Sequence, residues 1–298
     1  MNTLIVHHHD LDGFVAADIA LLHYPDAKTL KLNYDDSSAI PGAEQLANYD
    51  TVIIVDYTLP PETMLWLKQH CHLVWVDHHF SAINTAIAKG YSEVDGLRCK
   101  PGELICGAEL AWQFFEQKPL TRFLRLIGDQ DTFRNSRTPE FQSQVMPFFY
   151  GTKLVMENLN PANFHSGKFL LPTAECYDND AWCEELIRQG TLIQNYNRVY
   201  YGDLRNEAAF VRNIWGFRVY CFNCAGHGSS CLQDGFDPAI HDAMLLFSFN
   251  GKSWSYGLYT DISAKPDVNC SSIAKRYGGG GHQGAAGFST RTLLEELL

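Results

Sequence analysis

Four stretches of this 298-residue sequence follow an apolar run with side chains that hold cations. "TLIV" (3–6) is followed by His8, Asp10 and Asp12, and "TVIIV" (51–55) by Asp56. "HLVWV" (72–76) is followed by Asp77, His78 and His79, and a helix-like segment closes in "GDQD", with Asp129 and Asp131. One Asp after a strand is ordinarily a turn or cap residue. Four such segments brought to one sheet edge are a different matter, because crowded carboxylates raise one another's proton affinity unless cations lie between them. Two divalent ions roughly 3.5–4 Å apart are the usual remedy, and they can ionise a water and neutralise the oxygens of a phosphate. Mixed imidazole and carboxylate donors suit Mn, Zn, Fe or Co better than Ca.

These residues need a scaffold that delivers strand ends to one place. The apolar runs at 3–6, 51–56 and 72–77 read as buried strands. Helical spacing in 13–22, 60–70, 107–117 and 119–128 places helices around them. Strands alternating with helices predict a doubly wound parallel sheet, whose ligands sit beyond the carboxyl ends of its strands. The pattern weakens from about 134 to 180, and 180–204 reads as a long helix joining two domains. Strand-like runs follow ("AAFVRNI", "FRVYCFN", "AMLLFSFN", "SWSYGLYT"), then a helix and a glycine loop. The expected division is a metal-binding domain over 1–180, a linker helix over 181–204 and a smaller α+β domain over 205–298.

Composition narrows the function. Net charge is −11, and residues 1–150 hold 11 Lys+Arg against 19 Asp+Glu. Such a chain is a poor candidate for a groove along long nucleic acid, which needs basic stripes. No run of 18 apolar residues predicts a membrane span. The opening "MNTLIVHHHD" reads as a first strand rather than a leader. Nine scattered cysteines are read as free thiols of a reducing cytoplasm.

Taken in order, "HHDLDG" (8–13), Asp56, "VDHH" (76–79), "GDQDTF" (128–133) and "GGGGHQGAAGF" (278–288) resemble the DHH phosphoesterase superfamily and its associated C-terminal domain. The resemblance covers most of the chain, with 135–200 covered least. It implies that His8, Asp10, Asp12, Asp56 and His78 are metal ligands, with Asp56 shared between two ions. It also implies that Asp77 supports the pair of histidines and that His79 faces the substrate phosphate, the two forming the catalytic set. Asp129 is the expected ligand of the fourth motif, with Asp131 as the alternative. Gly279, Gly280, Gly281, His282 and Lys265 are expected to bind substrate, with the active site in a cleft between the domains. Ser263 stands where related sequences carry Arg, and the Lys265 ammonium lacks the fork of a guanidinium.

The activity this implies is hydrolysis of short oligonucleotides or linear dinucleotides to nucleoside monophosphates, with two Mn ions, or Mg, Co or Fe, as cofactors. A phosphatase of small bisphosphates, a cyclic-dinucleotide phosphodiesterase and a non-catalytic nucleotide sensor are the alternatives. The partner is the short substrate, not a membrane, and a homodimer remains open. Cys221, Cys224, His227 and Cys231 have a zinc-like composition but too tight a spacing, so buried thiols are favoured. The aromatic runs 147–151 and 195–202 are read as packing before base-stacking surfaces.

Overall fold

The computed structural model describes residues 2–34, 40–46, 48–136, 138–158, 177–225, 228–281 and 283–298. Four parallel strands form the sheet of the first unit: β1 (Thr3–His8), β2 (Lys28–Leu32), β3 (Thr51–Val55) and β4 (His72–Val76). Their order is β2-β1-β3-β4. Ile5, Val6, Ile53, Ile54, Val74 and Trp75 are all buried, so neighbouring side chains on both faces are covered. That is the state of a parallel sheet clad in helices, and it explains continuous apolar runs instead of alternation.

The chain leaves β1 toward β2 on one side and reaches β3 on the other. The sheet therefore reverses direction between β1 and β3, the place where open α/β sheets bind ligands. The helix α1 (Leu11–His23) starts there and is buried on nearly every side, packed on β1 and on α5 (Gly107–Phe115). Between these lie α2 (Ala43–Leu46), α3 (Pro61–His70) and α4 (Phe80–Lys89). α6 (Arg122–Asp131) is capped by Thr121, whose side chain accepts from Leu124 N–H.

Several elements go beyond the pattern read from the sequence. β2 is an edge strand in which only Leu32 is buried, so "KTLKL" lacks a buried run. α4 and the helix Met146–Asn158 also escaped. The latter contains "PFFYG", where Phe148 is fully buried against Phe123, so these aromatics are packing.

A 29-residue helix spans Asp180–Ala208, and the two compact units divide inside it, between Ile193 and Gln194. The second unit is a six-stranded mixed sheet in the order β5-β6-β7-β8-β10-β9. Its strands are β5 (Ala209–Ile214), β6 (Phe217–Asn223), β7 (Ala243–Phe249), β8 (Trp254–Tyr259), β9 (Gly280–Gly281) and β10 (Ala285–Thr290). Only β6 and β7 pair in parallel. One core includes Val219, Leu245 and Leu258 with the helix Cys270–Lys275, and another includes Phe222, Leu232 and Leu246. No helix among the described residues is long and apolar enough to cross a membrane.

Trp75 ties the sheet to the loop that carries the candidate site. It is fully buried, and its Nε1–H donates to the Tyr57 carbonyl at 3.1 Å, one residue past Asp56. Trp75→Ala removes both the packing and that bond. Urea unfolding should show about 3–5 kcal/mol lost, and a loss under about 1 kcal/mol would contradict this account of the core.

Candidate metal centre

The three histidines after β1 separate by strand geometry. Successive side chains in a strand point to opposite faces, so His7 and His8 diverge. His7 is fully buried, and burial lowers its pKa to about 4. His9 is exposed. His8 turns to the carboxyl edge of the sheet, where its Nδ1 lies 2.7 Å from Asp10 Oδ2 and 3.9 Å from Asp56 Oδ2. Burial works against a proton on His8, but Asp10 outweighs it and raises the pKa.

Asp10 is also the N-cap of α1, accepting from Gly13 N–H at 2.9 Å. Asp12, in the first turn of the same helix, is buried. Its two oxygens accept from the backbone N–H groups of Gly107 and Ala108 at 2.6 and 2.7 Å. Those donors open α5, so the positive end of a second helix steadies this carboxylate.

Asp56 leaves β3 with φ +52°, a left-handed turn that Asp tolerates better than most residues. The turn puts its side chain against Gly107, where an added Cβ would lie 2.5 Å from Asp56 Cβ, so only glycine fits there. Asp56 is 1% exposed, and neither carboxylate oxygen receives a hydrogen bond from a described residue. His78 Nε2 stands 3.1 Å from Oδ1, without hydrogen-bond geometry. The same nitrogen is 3.7 Å from Asp12 Oδ2 and 3.6 Å from Asp131 Oδ2. Two separate ligand groups result: His8, Asp10 and Asp56, and Asp12, His78 and Asp131, each with its ligand atoms within 4.8 Å of one another. Asp56 also clusters with His78 and His79, which links the two. It faces the first group with Oδ2 and the second with Oδ1. A buried carboxylate with two empty oxygens between two donor sets fits a pair of divalent cations.

Asp77 is fully buried and organises the next two residues. Its Oδ1 accepts from the backbone N–H groups of His78 and His79 and pairs with His79 Nδ1 at 2.7 Å. Its Oδ2 accepts from the Thr58 hydroxyl. His79 Nδ1 is thereby taken, which leaves Nε2 for a ligand. Burial lowers the proton affinity of His79, but Asp77 more than compensates and raises the pKa.

The structure separates Asp129 from Asp131. Asp129 pairs with Arg134 Nε at 2.7 Å and joins no ligand group among the described residues, whereas Asp131 does. Two residues apart on a helix is about 200° of rotation, so only one of them can face the cluster. Of the expected ligand Asp129 and its alternative Asp131, the structure brings Asp131 into a ligand group. Phe133, which set the frame for Asp129, is exposed with φ +52°.

Tyr34, Thr58, Glu109 and Arg134 support the site through contacts that the sequence does not show. Glu109 is fully buried in α5, receives both terminal guanidinium nitrogens of Arg134 at 3.0 and 2.8 Å, and accepts from Cys106 N–H. Arg134 therefore clamps α5 to the end of α6. A Glu at the third position of a helix is a capping cue, but nothing in the sequence ties it to an Arg 25 residues away.

In the second unit, Lys265 Nζ pairs with Asp242 Oδ1 at 2.7 Å, so this ammonium is engaged within its own domain. Gly279 packs against β10, where an added Cβ would lie 2.1 Å from the Gly287 carbonyl oxygen. Gly280 and Gly281 form β9, paired with Gly287 and Ala286, and Gly280 has open space around it. His282 and His227 lie outside the described residues. Among the described residues the metal-type groups lie in the first unit alone, and Cys221 donates instead to the Val219 carbonyl.

No protein-family model matches this sequence, and no curated protein matches it. Solved structures do. A DHH domain described as belonging to a family of ribosomal proteins superposes with a TM-score of 0.63 at 16% identity, covering 96% of this chain and 82% of its own. PggH, a pGpG-specific phosphodiesterase from Vibrio cholerae, gives 0.53 at 12% identity, covering 97% and 92%. An exonuclease RecJ bound to manganese gives 0.48 at 16% identity, covering 97% and 86%. The fold is that of the DHH-domain proteins: a parallel four-stranded unit followed by a mixed six-stranded one. At its switch point the first unit carries a His/Asp cluster suited to metal ions.

Two outcomes check the site. Burial, then repulsion from Asp12 and Asp10, holds Asp56 and Asp131 well above the ordinary carboxylate range. The metal-free folded state thus binds more protons than the unfolded chain, and its stability falls as pH rises through that raised range. Divalent ions take the deprotonated carboxylates, so their binding strengthens with pH. Calorimetry with Mn should show a larger rise in Tm near pH 8 than near pH 5.5, and none in Asp56→Ala. A shift independent of pH would contradict the ligand assignment. Separately, Arg134→Met leaves Glu109 buried without its cation and should cost about 3–5 kcal/mol in urea unfolding. Stability within about 1 kcal/mol of wild type would show that the clamp is dispensable.

Proposed function

We propose that this chain is a two-metal-dependent phosphodiesterase acting on short oligonucleotides or linear dinucleotides and releasing nucleoside monophosphates. The observation that carries the reading is Asp56: a buried carboxylate, its oxygens unbonded, standing between two sets of His and Asp ligands. His8, Asp10 and Asp56 would hold one ion, and Asp12, His78 and Asp131 the other, with Asp56 reaching both. The mixed donor set favours Mn, with Mg, Co or Fe as substitutes. The chemistry such ions supply when bound is ionisation of a water and neutralisation of phosphate oxygens.

The residues of the chain do the rest. Asp12, held by two backbone N–H groups, keeps its place without a cation to pull it in. Asp77 fixes the His79 ring with Nδ1–H toward the carboxylate, which presents Nε2–H to an anion. The raised proton affinity of His79 favours the charged donor, suited to binding a phosphate oxygen or protonating a leaving oxygen.

The size of the substrate is argued from charge. A net charge of −11 disfavours tracking along a polyanion. The fold neighbour from Vibrio cholerae, named for pGpG, supports a linear dinucleotide. The eight described cysteines are free thiols, in keeping with a reducing cytoplasm.

The test is turnover of 5′-phosphorylated RNA and DNA oligomers, two to about twelve nucleotides long, with Mn and with EDTA. Mononucleotide release should be fastest on the shortest oligomers, stop in EDTA and be lost in Asp56→Ala. His79→Ala should lower kcat by about 10²–10⁴-fold. Cleavage of bisphosphates or cyclic dinucleotides with none of linear oligomers would overturn the substrate assignment. Nucleotide binding without turnover of any of these would make the chain a sensor.

A further inference from the structure

Tyr34 lies beside the metal centre and belongs to none of the ligand groups. Its ring centroid is 5.4 Å from that of His79 and 5.4 Å from that of His8. It stacks on Tyr57 with centroids 4.5 Å apart and ring planes 24° from parallel. Tyr57 is 1% exposed and Tyr34 47%, so the pair has a buried member and an open one. The Tyr34 hydroxyl accepts from Thr58 N–H at 3.2 Å. Thr58 donates its own hydroxyl to Asp77, the residue that holds His79. Tyr34 is therefore anchored at its hydroxyl by Thr58 and backed by the Tyr57 ring, both on the loop that leaves Asp56. Burial, with Asp77 and Asp56 nearby, raises the pKa of its hydroxyl and keeps the ring neutral.

A rigid, half-open aromatic next to a phosphate-binding group matches how proteins hold the bases of short single strands. Stacking tolerates any base, since every base has a π-face. A tyrosine fixed beforehand loses little freedom on binding. Resting on the phosphodiesterase reading, we propose that Tyr34 is a specificity-determining residue that stacks on the base of the nucleotide whose phosphate lies at His79. Its ligand class is a nucleoside phosphate, as opposed to a bare sugar phosphate. The competing role is a strut that only steadies Thr58.

Calorimetric binding of AMP and of ribose 5-phosphate, in Mn, to wild type, Tyr34→Phe and Tyr34→Leu distinguishes these roles. Wild type should bind AMP about ten-fold or more tighter than ribose 5-phosphate. Tyr34→Phe should keep that preference. Tyr34→Leu should lose it while ribose 5-phosphate binding stays unchanged. An undiminished preference in Tyr34→Leu, or none in wild type, overturns the proposal, and equal weakening of both ligands assigns the strut role instead. Dinucleotide turnover by the same wild-type preparation separates the two levels. Turnover with no role for Tyr34 removes the stacking assignment alone. Absence of both turnover and binding removes the phosphodiesterase reading and the stacking assignment together.

Discussion

The Asp56 carboxylate is the constraint on which the arrangement of the first unit turns. A buried carboxylate costs several kcal/mol unless it is hydrogen-bonded or paired. Asp56 has no hydrogen bond and no Lys or Arg partner among the described residues, and Asp12, Asp10 and Asp131 surround it with carboxylates. Without ions, folding around such a group raises its affinity for a proton. The sheet, the left-handed turn after β3 and the glycine that opens α5 all serve to bring this oxygen pair to the switch point.

The neighbouring carboxylates show what a fully satisfied acid looks like here. Asp12 has the N-terminus of α5, Asp77 has two backbone N–H groups, a hydroxyl and His79, and Glu109 and Asp129 share Arg134. Each of those partners is part of the protein and always present. Asp131 differs in two ways: it ends α6, where the helix dipole disfavours negative charge, and its pKa is driven up by burial and by Asp12. Asp56 and Asp131 are thus the members of the cluster whose carboxyls are held well above the ordinary range. Asp12 and Asp10 keep lone pairs free beyond the hydrogen bonds they accept, so they complete the ligand groups.

The strand ends were legible in the sequence because a buried parallel strand has an abrupt chemical boundary. His8, Asp56 and His78 each lie within two residues of one, and strand alternation then sets His8 apart from His7. The helix-borne acid was not legible in the same way. "GDQD" offers two carboxylates about 200° apart, and the choice depends on which face of α6 meets α5 and on the pairing of Asp129 with Arg134. Long-range supports were invisible for a plainer reason. Asp12 meets Gly107 across 95 positions, and Lys265 meets Asp242 across 23. The first anchors Asp12 at the start of α5, and the second engages a lysine that sequence proximity had put beside the glycine loop. The edge strand β2 was missed because half-exposed residues do not make an apolar run.

On the proposed reading, these charges also bear on the order in which a phosphodiester and its ions arrive. With Asp10, Asp12, Asp56, Asp77 and Asp131 gathered near one another on a chain of net charge −11, the side chains alone make no strongly positive site for an anion. His79 alone cannot reverse that, since its charge is already paired with Asp77. Two divalent ions held there would change the sign of the local field, since a bound ion's own charge dominates the electrostatics of its site. On the proposed reading, the cations come first and create the anion site, and His79 and Tyr34 refine it. Affinity for substrate then comes from the cations and a base-stacking surface in place of a basic groove, which suits a short ligand with few phosphates and penalises a long one.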